Sequence, residues 1–145
     1  PFNWTVALFQ IWEVTRVNDF NSLFGEVPPE VVPYYQYMNI PISPDPNSKF
    51  NPWNIIRRRV ASARDKRFVI VKLDVDTPSV ELPLVQQLVK ETTIPVDEFF
   101  FEHHTTFPEM SPWWGRPPQT AGLLSDTYDF FLKLRTRGMR AHAWP

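Results

Sequence analysis

Phe68-Val69-Ile70-Val71-Lys72-Leu73-Asp74-Val75-Asp76-Thr77-Pro78 is an apolar run, interrupted only by Lys72, that ends in two carboxylates and a Thr-Pro turn. A helix-like segment follows from Ser79 to Lys90, with Val80, Leu84, Val85 and Leu88 toward one side. Apolar run, acidic tip, sharp turn and helix together predict a buried parallel strand feeding a crossover helix. Ligands in open α/β sheets bind just beyond the carboxyl ends of such strands. Asp74 and Asp76 therefore mark the edge where a site is expected. By the two-residue period of a strand they share one face, and Val75 points away.

Working outward, Trp4 to Glu13 is apolar apart from Thr5 and Gln10 and reads as a first buried strand with Glu13 at its carboxyl end. A short helix is expected over Asp19 to Phe24, a helical turn beginning at Pro29, and a short edge strand over Tyr37 to Ile42, limited by Pro41. Asn51-Pro52 has the chemistry of a helix start, Asn51 as N-cap and Pro52 at N1. Trp53, Ile56, Val60 and Ala63 then recur at helical spacing, while Arg57, Arg58, Arg59 and Arg64 fall largely elsewhere and read as a solvated face. Val96 to His103 is a further strand whose end carries Glu102, His103 and His104. A Pro/Trp/Gly loop spans 107–120. Ser125 is the expected cap of a helix through Arg137, with Tyr128, Phe131 and Leu132 facing inward and Gly138 closing it. Met139 to Trp144 is the last strand. The alternation of strands and helices, with connections of crossover length, predicts an α/β fold built on a mainly parallel sheet.

The composition narrows the function classes. The chain has 145 residues, 43% of them hydrophobic, and reads as one domain over 1–145. No apolar run approaches the ~20 residues of a membrane span. A net charge of −1 gives no global field for nucleic acid, and no nucleic-acid partner is expected. The absence of cysteine excludes a disulfide framework and thiolate metal ligands. No signal-type segment is visible, so a soluble protein is expected and the compartment is left open. Sixteen prolines and 15% aromatic residues point to ordered, aromatic-pinned loops rather than disorder. The chain begins in a strand-like segment without an initiator Met and reads as part of a longer one.

Lys72-Leu73-Asp74-Val75-Asp76-Thr77 and Phe101-Glu102-His103-His104 resemble paired motifs of the FkbM-like group of class I S-adenosylmethionine-dependent methyltransferases. In that group a K-x-D-x-E-G strand end precedes a helix, and the next strand ends in an acid and His. The layout is also similar to an uncharacterised group of eukaryotic proteins, many from algae and other protists. The resemblance implies a Rossmann-like sheet with flanking helices, S-adenosylmethionine as cofactor, and O-methyl transfer to a small molecule or glycan. It implies a catalytic group of Asp74, Asp76, Glu102 and His103, with Glu13 binding the cofactor ribose. No divalent metal is expected; Asp74, Asp76 and His103 would be its ligands. Thr77-Pro78 replaces the usual Gly and stiffens the backbone there. Nothing matches the first strand and its Gly-rich turn, which in that fold lies between the strands at 4–13 and 68–74, so a preceding segment is expected.

Plainer roles stand beside these. Asp74 or Asp76 could cap the helix at Pro78. Lys72 could pair with a nearby acid or snorkel to the rim. His103, His104 and His142 could be hydrogen-bonded structural residues. Trp113-Trp114 reads as an aromatic plug over the sheet edge rather than a substrate lid. The alternative to an enzyme is a non-catalytic subunit that keeps the fold and meets other proteins through its aromatic and proline loops.

Overall fold

Proline and asparagine chemistry sets the first well-defined helix. Asn51 lies in extended backbone and its side-chain oxygen accepts from the amides of Trp53, at 3.0 Å, and Asn54, at 3.4 Å. Pro52 fills the position where an N–H would have no partner, and helix α1 runs Pro52–Ala61. The computed structural model describes residues 8–14, 19, 25, 27–62, 67–117 and 119–144. Residues 4–7 of the first expected strand, the helix expected over 19–24 and the positions of Ala63 and Arg64 lie outside the described residues, apart from Asp19 itself.

The chain falls into two compact units, 1–42 and 43–145. In the first, strands β1 (Phe9–Trp12) and β2 (Tyr35–Met38) pair in parallel, with Phe9 opposite Tyr35 and Trp12 opposite Met38. The Phe9 and Tyr35 rings stack at 5.3 Å across that register. A 3-10 turn over Val32–Tyr34 leads into β2, which begins two residues before the expected strand and ends at Met38, ahead of Pro41. A proline lacks the N–H that a longer ladder would need.

The second unit carries β3 (Ile70–Leu73), β4 (Glu98–Phe101) and β5 (Arg140–Ala143), all parallel and in the order β3-β4-β5. Helix α2 (Pro78–Lys90) links β3 to β4. A short helix α3 (Ser111–Trp114) and the long α4 (Leu124–Thr136) link β4 to β5. The α/β class and the parallel pairing follow the reading of the sequence, in two small sheets of two and three strands.

The core of this unit is built by alternation. Leu73, Phe99, Phe101 and Ala141 are buried, as are Leu84, Val85 and Leu88 of α2 and Phe131 and Leu134 of α4. Trp53 of α1 is completely buried, donates its indole N–H to the Leu84 carbonyl at 3.0 Å and sets its edge on Phe99. The opposite strand parity is more open: Ile70, Lys72 and Arg140 are exposed, and Phe100 lies between His142, stacked at 4.8 Å, and the edge of Trp144. Pro83 sits in the second turn of α2, and α2 still runs unbroken from Pro78 to Lys90.

Two expectations about side-chain direction are corrected. Tyr128 and Leu132 face outward, at 68% and 66% exposure. The inward stripe of α4 is Thr127, Phe131 and Leu134, and a step of one residue rotates a side chain by about 100°. Trp113, one of the two residues of the expected plug, is 75% exposed, and the Trp114 side chain lies outside what is described. Gly138 ends the helix at φ +88°, as its position predicts.

Candidate functional site

Strand β3 ends at Leu73, and the chain then turns sharply. Asp76 takes a left-handed backbone, φ +51°, which Asp tolerates better than most residues. The two-residue period therefore stops before it reaches Asp76. Asp74 keeps to the Lys72 side, where its carboxylate meets the ammonium at 2.7 Å, and Lys72 also lies over the Trp144 ring. Lys72 thus has the paired role considered for it from sequence.

From the neighbouring strand, the Glu102 amide donates to the Leu73 carbonyl at 3.4 Å, extending the ladder by a residue. That places Glu102 beside the β3 turn. His104 Nε2 lies 3.3 Å from Glu102 Oε1 and 3.7 Å from Asp76 Oδ1. The three donor atoms all fall within 4.8 Å of one another. His104 and Glu102 are largely covered, whereas Asp76 is exposed. The result is an open carboxylate–imidazole cluster at the carboxyl ends of β3 and β4, the edge singled out from sequence.

His103 does not join it. It shares strand parity with buried Phe99 and Phe101, and its ring stacks on Phe101 at 5.3 Å. Its Nε2 meets the Ala121 carbonyl at 2.8 Å, which can only accept, so that nitrogen carries the proton. Nδ1 then accepts from the Thr127 hydroxyl at 2.7 Å. Burial holds this imidazole below the usual histidine range, opposed by the Ala121 bond and the charge of Asp126 and reinforced by His104. It is a neutral strut between the end of β4 and the start of α4. His142 is also elsewhere, 3.0 Å from Glu98.

Glu81 is the residue that the sequence reading missed. It is 3% exposed on α2, and its Oε1 accepts the Val75 amide at 3.0 Å. Burial pushes its carboxyl above the ordinary glutamate range. The Val75 bond and His104 work against that shift, and Asp76 and Asp74 add to it. The entry to α2 is fixed by this bond and by Thr77, whose carbonyl accepts from Val80 and Glu81, with no side-chain cap at Thr77.

In the first unit, Glu13 follows β1 directly. Its amide donates to the Met38 carbonyl at 3.1 Å and its carbonyl accepts from the Asn39 side chain at 2.6 Å. Both backbone groups are thus held at the strand's carboxyl end. No helix among the described residues is long and apolar enough to cross a membrane. No family model, no curated protein and no solved structure matches the chain.

Proposed function

We propose that this chain is a Rossmann-like, methyltransferase-like domain that carries out S-adenosylmethionine-dependent O-methyl transfer to a hydroxyl of a small molecule or glycan. The observation that carries this reading is the convergence of Asp76, Glu102 and His104 beyond adjacent parallel strands. A hydroxyl resting against the exposed Asp76 carboxylate would give up its proton there as it becomes a nucleophile. His104, 3.3 Å from Glu102 and 3.7 Å from Asp76, would hold the two carboxylates in place around that hydroxyl. Asp74, neutralised by Lys72, shapes the rim rather than moving a proton. Glu13 offers a carboxylate at the end of a parallel strand, which suits the hydroxyls of a ribose. S-adenosylmethionine, when bound, supplies the methyl group.

Calorimetric titration of S-adenosylmethionine into the full chain tests this reading. Saturable heat is expected, weakened by Glu13→Ala and unaffected by His104→Ala. Absence of both heat and a thermal shift overturns it.

A second reading, a non-catalytic subunit of a larger assembly, is favoured by a different observation. Leu124, Tyr128 and Leu132 recur at every fourth position on α4 and are all exposed, with Leu123 beside them. Paired Tyr128→Lys and Leu132→Lys substitutions that abolish association in sedimentation without lowering Tm would support it. A monodisperse monomer before and after substitution would count against it.

A further inference from the structure

We propose that Asp76, Glu102 and His104 form a binding site for a divalent first-row transition ion, represented by Mn²⁺. The inference rests on the same sheet edge as the proposed function but not on methyl transfer. Metal–ligand bonds of about 2.1 Å, at angles between octahedral and tetrahedral, separate donor atoms by about 3.0–3.5 Å. The His104 nitrogen lies 3.3 Å from one carboxylate oxygen and 3.7 Å from the other. The two carboxylate oxygens lie within 4.8 Å of each other, and rotation of the exposed Asp76 side chain toward Glu102 would bring all three donors onto one ion.

The charge balance points the same way. The Lys72 ammonium, on the neighbouring strand β3, is engaged with Asp74 and the Trp144 ring. Among the described residues, the only ion pairs made by Asp76 and Glu102 are with His104. Two carboxylates thus face one imidazole. A cation would relieve this excess.

The donor set selects the class of ion. Mg²⁺ and Ca²⁺ favour oxygen donors, whereas an imidazole shifts preference toward Mn²⁺, Fe²⁺ and Zn²⁺. Three protein donors leave positions open on the exposed Asp76 side, where a substrate oxygen could enter. His103 is no part of this set, because both of its ring nitrogens are committed to Ala121 and Thr127.

The test is electron paramagnetic resonance of Mn²⁺ titrated with the full chain, without S-adenosylmethionine. One bound ion per chain is expected, displaced by Zn²⁺ at far lower concentration than by Mg²⁺. His104→Ala and Glu102→Gln should each weaken binding more than about tenfold. His142→Ala removes a histidine outside the cluster and should leave binding unchanged, and thermal melts confirm that each variant is folded. No bound Mn²⁺, binding insensitive to His104→Ala in a folded variant, or equal displacement by Mg²⁺ and Zn²⁺ would each overturn the site. Mn²⁺ binding without S-adenosylmethionine heat would uphold the site and sink the proposed reaction, and the reverse result would do the opposite.

Discussion

Glu81 Oε1 holds the Val75 amide at 3.0 Å from a position on α2 that is almost wholly buried. The bond ties the turn carrying Asp74 and Asp76 to the helix that follows. Its acceptor is a carboxyl whose ionisation burial opposes. A raised pKa in the folded state gives stability that is complete below the ordinary glutamate value of about 4.3. That contribution is lost as pH climbs through the raised value. Glu81→Gln keeps the acceptor and removes the charge. Its melting temperature should equal or exceed that of the parent chain at pH 7.5, with the difference gone at pH 4. Glu81→Leu leaves the Val75 N–H without its acceptor and should cost about 1–3 kcal/mol in urea unfolding. A Gln variant less stable than the parent at pH 7.5 would show that the ionised form is the favoured one.

His103 should give the opposite pH dependence. Its lowered pKa contributes stability that is complete above the ordinary histidine value of about 6.5. That stability declines as pH falls below this value toward the folded pKa, because the unfolded chain takes up a proton that the buried ring refuses. His103→Gln can still donate to Ala121 and accept from Thr127. Unfolding free energies at pH 7.5, 6 and 5, measured in a Glu81→Gln background, should fall more steeply with His103 than with Gln. Parallel slopes would mean that the ring protonates in place.

Much of this junction was legible in the sequence by parity alone. Phe99, Phe101 and His103 share one face of a strand, and Phe100, Glu102 and His104 the other, so His104 rather than His103 belongs with Glu102. Asp76 broke the same rule, because β3 ends at Leu73 and a left-handed residue resets the direction of its side chain. Glu81 left a fainter signal. It opens the i, i+3, i+4, i+7 stripe that continues through Leu84, Val85 and Leu88, and an acid on a core stripe needs a buried partner. The Asn51-Pro52 start and the Gly138 stop were local chemistry and appear where their residues predict. Which side of α4 faces the sheet was not local. Leu132 is as apolar as Phe131 and Tyr128 is aromatic like it, so only the packed sheet decides between neighbouring stripes.

Gly122 and Gly138 form a matched pair for measuring a close approach. Both have positive φ, +80° and +88°. A Cβ on Gly122 would lie 2.9 Å from the Asp126 carboxylate and 3.4 Å from the His103 ring, whereas one on Gly138 would meet nothing within 4 Å. Asp126 cannot readily give way, because the same oxygen accepts the Leu123 amide at 2.6 Å at the start of α4. Gly138→Ala should cost only the backbone term, about 1–2 kcal/mol. Gly122→Ala should cost that and about 1–3 kcal/mol more as the cap or the His103 bonds yield. Equal losses in thermal unfolding would mean that the loop opens freely.

Trp53 and Trp113 divide the tryptophans by what surrounds them. Trp53 is completely buried, holds Phe99 at its edge and reaches the Leu84 carbonyl, so it joins α1 to both α2 and β4. Trp53→Ala should cost about 3–5 kcal/mol, the range for deleting a large aromatic from a core. Trp53→Phe keeps most of the contact and loses the indole N–H. Leu84 is within α2, so its carbonyl still has the helix ladder to bond, and the expected loss is about 1–2 kcal/mol. Trp113→Ala, at an exposed position, should lie within about 0.5 kcal/mol of the parent. Tryptophan fluorescence during urea unfolding of the three variants distinguishes these roles. If Trp113→Ala destabilised the chain as much as Trp53→Phe, Trp113 would have to be covered in solution, and α3 would then pack against a surface rather than project from one.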